Sequence, residues 1–183
     1  MKNLSYVVVD TATNDGCIVD PTWGIETILS FVEREMINLE FVWLTHTHYD
    51  HIQGLDVCHH RFPNIPVFVH ENELQNIDHQ YNLSPLIDNQ SITLGTSSWQ
   101  VIHTPGHSPG GICFYNAPHL ICGDTIFIDG CGRADIKGAN PEDLYHSLQK
   151  IKSFPSDTII YPGHDYGHQT TDLLKSQISQ NCF

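Results

Sequence analysis

The chain predicts an α/β fold with mixed sheets, on two observations. Short runs rich in Val, Ile and Phe recur along its length, bounded by Gly, Pro, Asn or Asp, as strands require. Helical periodicity, by contrast, is confined to segments near the beginning and the end, so strands dominate the middle. At 183 residues the chain is about one domain's worth, and neither repeats nor linker-like tracts divide it, so residues 1–183 are expected to form one domain.

In order, the expected strands are Tyr6 to Val9, Cys17 to Val19, Phe41 to Leu44, Val67 to Val69, Ile92 to Leu94, Trp99 to His103, Ile112 to Tyr115, Leu120 to Cys122 and Thr158 to Tyr161. Ile25, Ile28, Leu29, Val32 and Met36 recur at helix spacing, with Thr22 as candidate cap. Pro141 opens a second helix that buries Leu144, Leu148 and Ile151, and a third runs from about Thr171 to Ile178. Turns fall at Asp20-Pro21, Pro63 to Pro66, Pro105-Gly106, Pro109 to Gly111 and Pro162-Gly163.

Composition limits function. Lys and Arg number 8 against 21 Asp and Glu, a formal charge of −13, which disfavours a nucleic-acid or anionic-membrane surface. The six cysteines include no C-x-x-C pair and read as reduced, mostly buried thiols. The first residues lack a signal-peptide core and no run nears the roughly 20 apolar residues of a membrane span, so a cytoplasmic protein is expected.

The densest chemistry lies in Thr45-His46-Thr47-His48-Tyr49-Asp50-His51, directly after the apolar run Phe41 to Leu44. Imidazole and carboxylate together suit zinc or iron, and two His at i, i+2 on a loop can face one ion. Three further segments share one design, an extended run, a glycine and then a prospective ligand: Ile102 to His107, Leu120 to Asp124 and Ile159 to His164. Glycine suits a loop that bends closely around an ion, and strand ends are where α/β sheets place their sites. The count suggests two ions: His46, His48 and His107 around one, Asp50, His51 and His164 around the other, Asp124 bridging with its two oxygens. Cations about 3.5 to 4 Å apart can share a water and lower its pKa from about 15.7 toward about 7, generating a metal-bound hydroxide while polarising a carbonyl.

The order His46-x-His48-x-Asp50-His51, His107, Asp124, His164 resembles the metallo-β-lactamase superfamily across nearly the whole chain. That resemblance implies a four-layer αβ/βα sandwich, two mixed β-sheets face to face with helices on the outer faces, and a two-metal site at one edge. Thr104 to Gly110, Gly123 to Phe127, Gly130 to Arg133 and Leu144 to Leu148 look like the hydroxyacylglutathione hydrolase (glyoxalase II) branch. Asp124 stands where many β-lactamases carry a cysteine. The chain departs from glyoxalase II at Arg133-Ala134-Asp135-Ile136, where that enzyme has a Lys followed by aromatics. It also ends soon after His164, before the helical region that supplies glutathione contacts there, and starts about one strand short.

The resemblance implies a zinc-dependent hydrolase of a small acyl thioester carrying two Zn2+, with Asp50 and Asp124 in catalytic roles and Asp50 orienting the attacking water. Arg133, whose fork suits a carboxylate or phosphate, and Tyr49 are candidate substrate contacts; pairing of Arg133 with Asp135 is the alternative. His103 and Asp165 read as structural or as supports for ligands, and the remaining histidines as unrelated to the site. Tyr161 to Tyr166 and Cys131 to Asp135 also look like persulfide dioxygenases, which implies a second possibility: one Fe2+ held by His46, His107 and Asp124. A third is a non-catalytic metal-binding relative.

Overall fold

Two sheets face each other, and each outer face is covered by helices. The computed structural model describes residues 2–181. The first sheet takes the order β1 (Tyr6–Asp10), β2 (Asp15–Val19), β3 (Asn38–Trp43), β4 (Pro66–His70), β5 (Asn82–Leu86). β1 and β2 form an antiparallel hairpin, and the remaining neighbours run parallel. Parallel neighbours need crossovers, supplied by α1 (Ile25–Arg34), then α2 (Tyr49–Ile52) with α3 (Leu55–Arg61), and finally a 3-10 helix at Glu71–Asn76.

The second sheet begins as an antiparallel meander of β6 (Ser91–Leu94), β7 (Ser97–His103), β8 (Ile112–Asn116) and β9 (His119–Gly123). A two-stranded ribbon, β10 (Ile126–Phe127) and β11 (Gly130–Cys131), and α4 (Pro141–Lys152) follow. β12 (Ile159–Pro162) then runs parallel to β9, β13 (Asp172–Leu173) closes the edge antiparallel to β12, and α5 (Leu174–Gln180) ends the described chain.

Strand alternation builds the layers, because successive side chains leave opposite faces. Cys17, Val19 and Trp43 point inward to meet Trp99, Val101, Phe114 and Ile121 of the second sheet. Trp43 is fully buried, stacked on Phe114 at 4.7 Å between ring centres and meeting Trp99 at 5.5 Å. Their neighbours Ile18, Val42 and Leu44 point outward against Ile25, Leu29, Leu55 and Cys58 of α1 and α3. On the opposite outer face Ile102, Cys113, Leu120 and Ile160 meet Leu144, Leu148, Ile151 and Leu174 of α4 and α5. Helix, sheet, sheet, helix is the expected four-layer sandwich.

Some boundaries differ from expectation. α4 starts as expected, with the Asn140 side chain accepting from the Glu142 and Asp143 amides before Pro141. α1, however, starts after Gly24, whose φ of 73° ends the preceding extended chain; Thr22 instead donates its hydroxyl to the Asp50 carbonyl. Met36 lies beyond the helix, 82% exposed. The expected third helix is delayed because Asp172 and Leu173 pair with Ile160 and Ile159 first. Cys17, Cys58, Cys113 and Cys122 are buried without disulfides, while Cys182 lies outside the described residues. Among the described residues no helix is long and apolar enough to cross a membrane.

Candidate metal centre

β7, β9 and β12 run in one direction, so the segments that follow them emerge at one edge of the second sheet. The loop after β3 meets them there: the Ile112 amide at the start of β8 donates to the Thr45 carbonyl at 2.9 Å. The Gly163 amide donates to Gly123 at 2.7 Å, bringing the segments that carry Asp124 and His164 side by side. Gly123 has a φ of 48°, and a side chain there would strike Thr45. The sheets therefore converge at a seam with backbone too close for larger residues.

All seven residues read from the sequence as prospective ligands meet at this seam. His46, His48 and His107 offer ligand atoms within 4.8 Å of one another, and so do Asp50, His51 and His164. Asp124 lies between the trios. Its Oδ2 is 3.4 Å from His107 Nε2 and 3.1 Å from His164 Nε2, and its Oδ1 is 3.3 Å from His51 Nε2. His48 and Asp50 are half-buried and the other five are buried. Across the trios, His46 and His51 rings are 4.1 Å apart.

Three polar atoms in this group are buried and lack aligned hydrogen-bond partners: His46 Nε2, His164 Nδ1 and Asp124 Oδ1. Such atoms are costly unless something satisfies them, and nitrogen with carboxylate oxygen is the donor set that divalent zinc or iron takes. The cluster fits metal ions. Burial and the neighbouring imidazoles hold His46 well below its ordinary pKa, and burial likewise lowers His48. Both are thus kept neutral, the form that coordinates. Burial also pulls His51 down, but its contacts with Asp124 and Asp20 outweigh that and raise it to about 10. Burial opposes the charge on Asp124, yet the bonds from His164 and His51 hold its carboxyl well below the usual range.

The rings are held from behind. His107 Nδ1 reaches the Arg133 carbonyl at 2.9 Å, and His46 Nδ1 reaches Thr45 Oγ1 at 3.1 Å. Asp20, buried at the end of β2, takes the Thr45 amide at 2.7 Å and hydroxyl at 2.6 Å, and lies 3.0 Å from His51 Nδ1. Contacts of this kind fix which ring nitrogen faces a metal. The sequence reading missed Asp20, although an acid directly after an apolar run was the signal it used elsewhere. It also missed Tyr166, whose ring stacks on His164 at 4.7 Å.

Of the candidate substrate contacts, Tyr49 is 72% exposed and meets Trp23 edge-on at 6.3 Å. Arg133 is exposed, and its fork holds Asp135 with Nε to Oδ1 at 2.9 Å and Nη2 to Oδ2 at 3.2 Å. His103 stacks on His70 at 4.1 Å, and its Nε2 lies 3.1 Å from the Pro109 carbonyl on the loop that carries His107.

Comparison with known proteins identifies the family. The metallo-β-lactamase superfamily profile matches residues 2–164. The chain belongs to that superfamily. The "probable polyketide biosynthesis zinc-dependent hydrolase PksB" of Bacillus subtilis is 32% identical over 183 residues, 99% of this chain and 81% of that protein. A hydroxyacylglutathione hydrolase of Pectobacterium atrosepticum is 35% identical over 88% of this chain, and the chain spans 62% of that enzyme's length. ETHE1 of Myxococcus xanthus superposes with a TM-score of 0.88 at 27% identity, covering 98% of this chain and 78% of that one. TTHA1623, solved with two irons bound, gives 0.83 at 25% identity over 97% of this chain and 92% of that one. The expectation of a metallo-hydrolase-superfamily enzyme, similar to glyoxalase II and to a zinc-dependent hydrolase, therefore holds.

Proposed function

We propose that the protein hydrolyses a small acyl thioester with two zinc ions, held by His46, His48 and His107 and by Asp50, His51 and His164, with Asp124 between them. The single observation that carries this reading is the pair of trios on either side of one buried carboxylate. Zinc held there would supply Lewis acidity toward the thioester carbonyl and a water acidic enough to attack it near neutral pH.

The protein's own groups do the rest. Asp50 Oδ2 lies 3.5 Å from His164 Nε2 and accepts from Asn3 Nδ2 at 2.9 Å, so its carboxylate is fixed where it can orient the attacking water and take its proton. Asp124 stays ionised, with Oδ2 facing both His107 and His164 and Oδ1 facing His51. A thiolate leaves without strong acid assistance. Arg133 can turn toward a substrate carboxylate at small cost, because its ion pair with Asp135 is exposed and screened by solvent. The hydroxyacylglutathione hydrolases and the zinc-dependent hydrolase among its relatives support this substrate class.

The test is turnover by zinc-loaded protein of a panel of S-acyl glutathione, acyl-CoA and carrier-bound thioesters. Zinc bound at two per chain with no thioester turned over rejects the reading. Asp124→Ala is expected to lose both the second zinc and the activity.

A second reading is favoured by the likeness to ETHE1. In it, His46, His107 and Asp124 hold one iron and the substrate is a persulfide. Iron content with oxygen uptake on glutathione persulfide separates the two, since hydrolysis consumes no oxygen.

A further inference from the structure

Glu73, in the 3-10 helix after β4, is only 1% exposed. A buried carboxylate is costly unless donors surround it. Its donors come from both loops that carry the first histidine trio. Oε2 accepts the hydroxyl of Thr47, which sits between His46 and His48, and Oε1 accepts the Gly110 amide at 2.8 Å, on the loop just past His107. Asn76 Nδ2 adds a bond to Oε2 at 3.2 Å. All three donors are neutral. The approach is close enough that a side chain at Gly110 would bring its Cβ within 2.5 Å of Glu73 Cγ.

These two loops follow strands of different sheets, β3 and β7. Nothing covalent and near in sequence relates them, yet His48 Nδ1 and His107 Nε2 stand 2.8 Å apart. One side chain reaches both. We infer that Glu73 is a positioning residue, a latch that holds the His46 to His48 loop against the His107 loop and so sets the affinity of the first metal position. The second position, built from Asp50, His51 and His164, takes no contact from it. The inference rests on the reading that both trios hold metal.

The experiment compares Glu73→Ala, Glu73→Gln and Thr47→Val with the unaltered protein by amide hydrogen exchange without metal and by zinc titration against a chromophoric chelator. Glu73→Ala is expected to speed exchange at Gly110 by about tenfold or more and to weaken one zinc position by about 10–100-fold, leaving the other within about twofold. Glu73→Gln keeps an oxygen for the Gly110 amide, so protection there persists. Thr47→Val keeps that protection too but weakens the same zinc position, which a role in folding alone would not produce. Gly110 protection unchanged in Glu73→Ala, or equal weakening of both positions in every variant, overturns the latch. Absence of zinc binding by the unaltered protein, with Gly110 protection lost in Glu73→Ala, overturns the metal reading and leaves the loop latch standing.

Discussion

Asp20→Asn is a change of one atom whose consequence follows from hydrogen-bond direction. Asp20 takes two hydrogens from Thr45 and one from His51 Nδ1. An ionised carboxylate only accepts, so a His51 ring deprotonated to hold metal would keep its one hydrogen on Nδ1 and turn Nε2 toward the cluster, 3.3 Å from Asp124 Oδ1. The amide of Asn has one accepting oxygen. If that oxygen serves the Thr45 amide, the NH2 group faces Thr45 Oγ1 and His51 Nδ1, and His51 is driven to the opposite tautomer with a hydrogen on Nε2. Asn tolerates the φ of 48° at this position, so the backbone need not change. Loss of such a partner costs about 10–100-fold in metal affinity, or about 1.4–2.8 kcal/mol at 1.4 kcal/mol per decade. The weakened position should be the one that includes His51. One or two bonds to a charged acceptor are lost as well, each worth about 1.5–3 kcal/mol, so the metal-free protein should lose stability on the order of 1.5–6 kcal/mol. Zinc competition titration and urea unfolding measure the two effects. Unchanged zinc affinity at both positions would refute the argument from tautomer.

Two other predictions concern pH and the core. In metal-free protein His51 is raised from 6.5 to about 10, so the stability it contributes is complete below about pH 6.5 and is lost as pH rises through about 10. Urea midpoints in chelator should fall across that window, and saturating zinc should flatten the fall; a flat profile without zinc would contradict the assigned contacts. Trp43→Ala removes a fully buried indole that touches Phe114 and Trp99, and should cost about 3–5 kcal/mol in urea unfolding, with a loss under about 1 kcal/mol showing that the sheets close over the gap.

How much was legible depended on whether the signal was local. The strands of the meander read clearly because apolar side chains alternate or run together within a few residues. β5 did not, since Asn82, Ser84 and Pro85 look like a loop; at the sheet edge a proline is tolerated, and Pro85 pairs there with Val69. α2 was invisible because four residues hold too little periodicity, and two of them, Asp50 and His51, had already been read for their chemistry. The prospective ligands were legible because acid or imidazole directly after a strand is a pattern in one dimension. Glu73 was not recognised for the opposite reason: what marks it is burial and the company of distant loops. Asp20 does follow a strand, but beside Pro21 it reads as a turn. The facing of two mixed sheets depends on the same kind of distant contact and came only from the resemblance, while the order of strands in each sheet was not read at all.

Strands β1 to β5, up to Leu86, build one sheet, and β6 to β9 with β12 and β13, from Ser91 on, build the other, so the cluster sits where the two halves of the polypeptide abut. An ion seated there works as a rivet through both plates of the sandwich. Prising the halves apart would empty the cluster, and emptying it would loosen the joint; ligand at a thousand times its Kd contributes about 4 kcal/mol against that separation. Metal supply would then govern how long the protein survives as well as how fast it turns over.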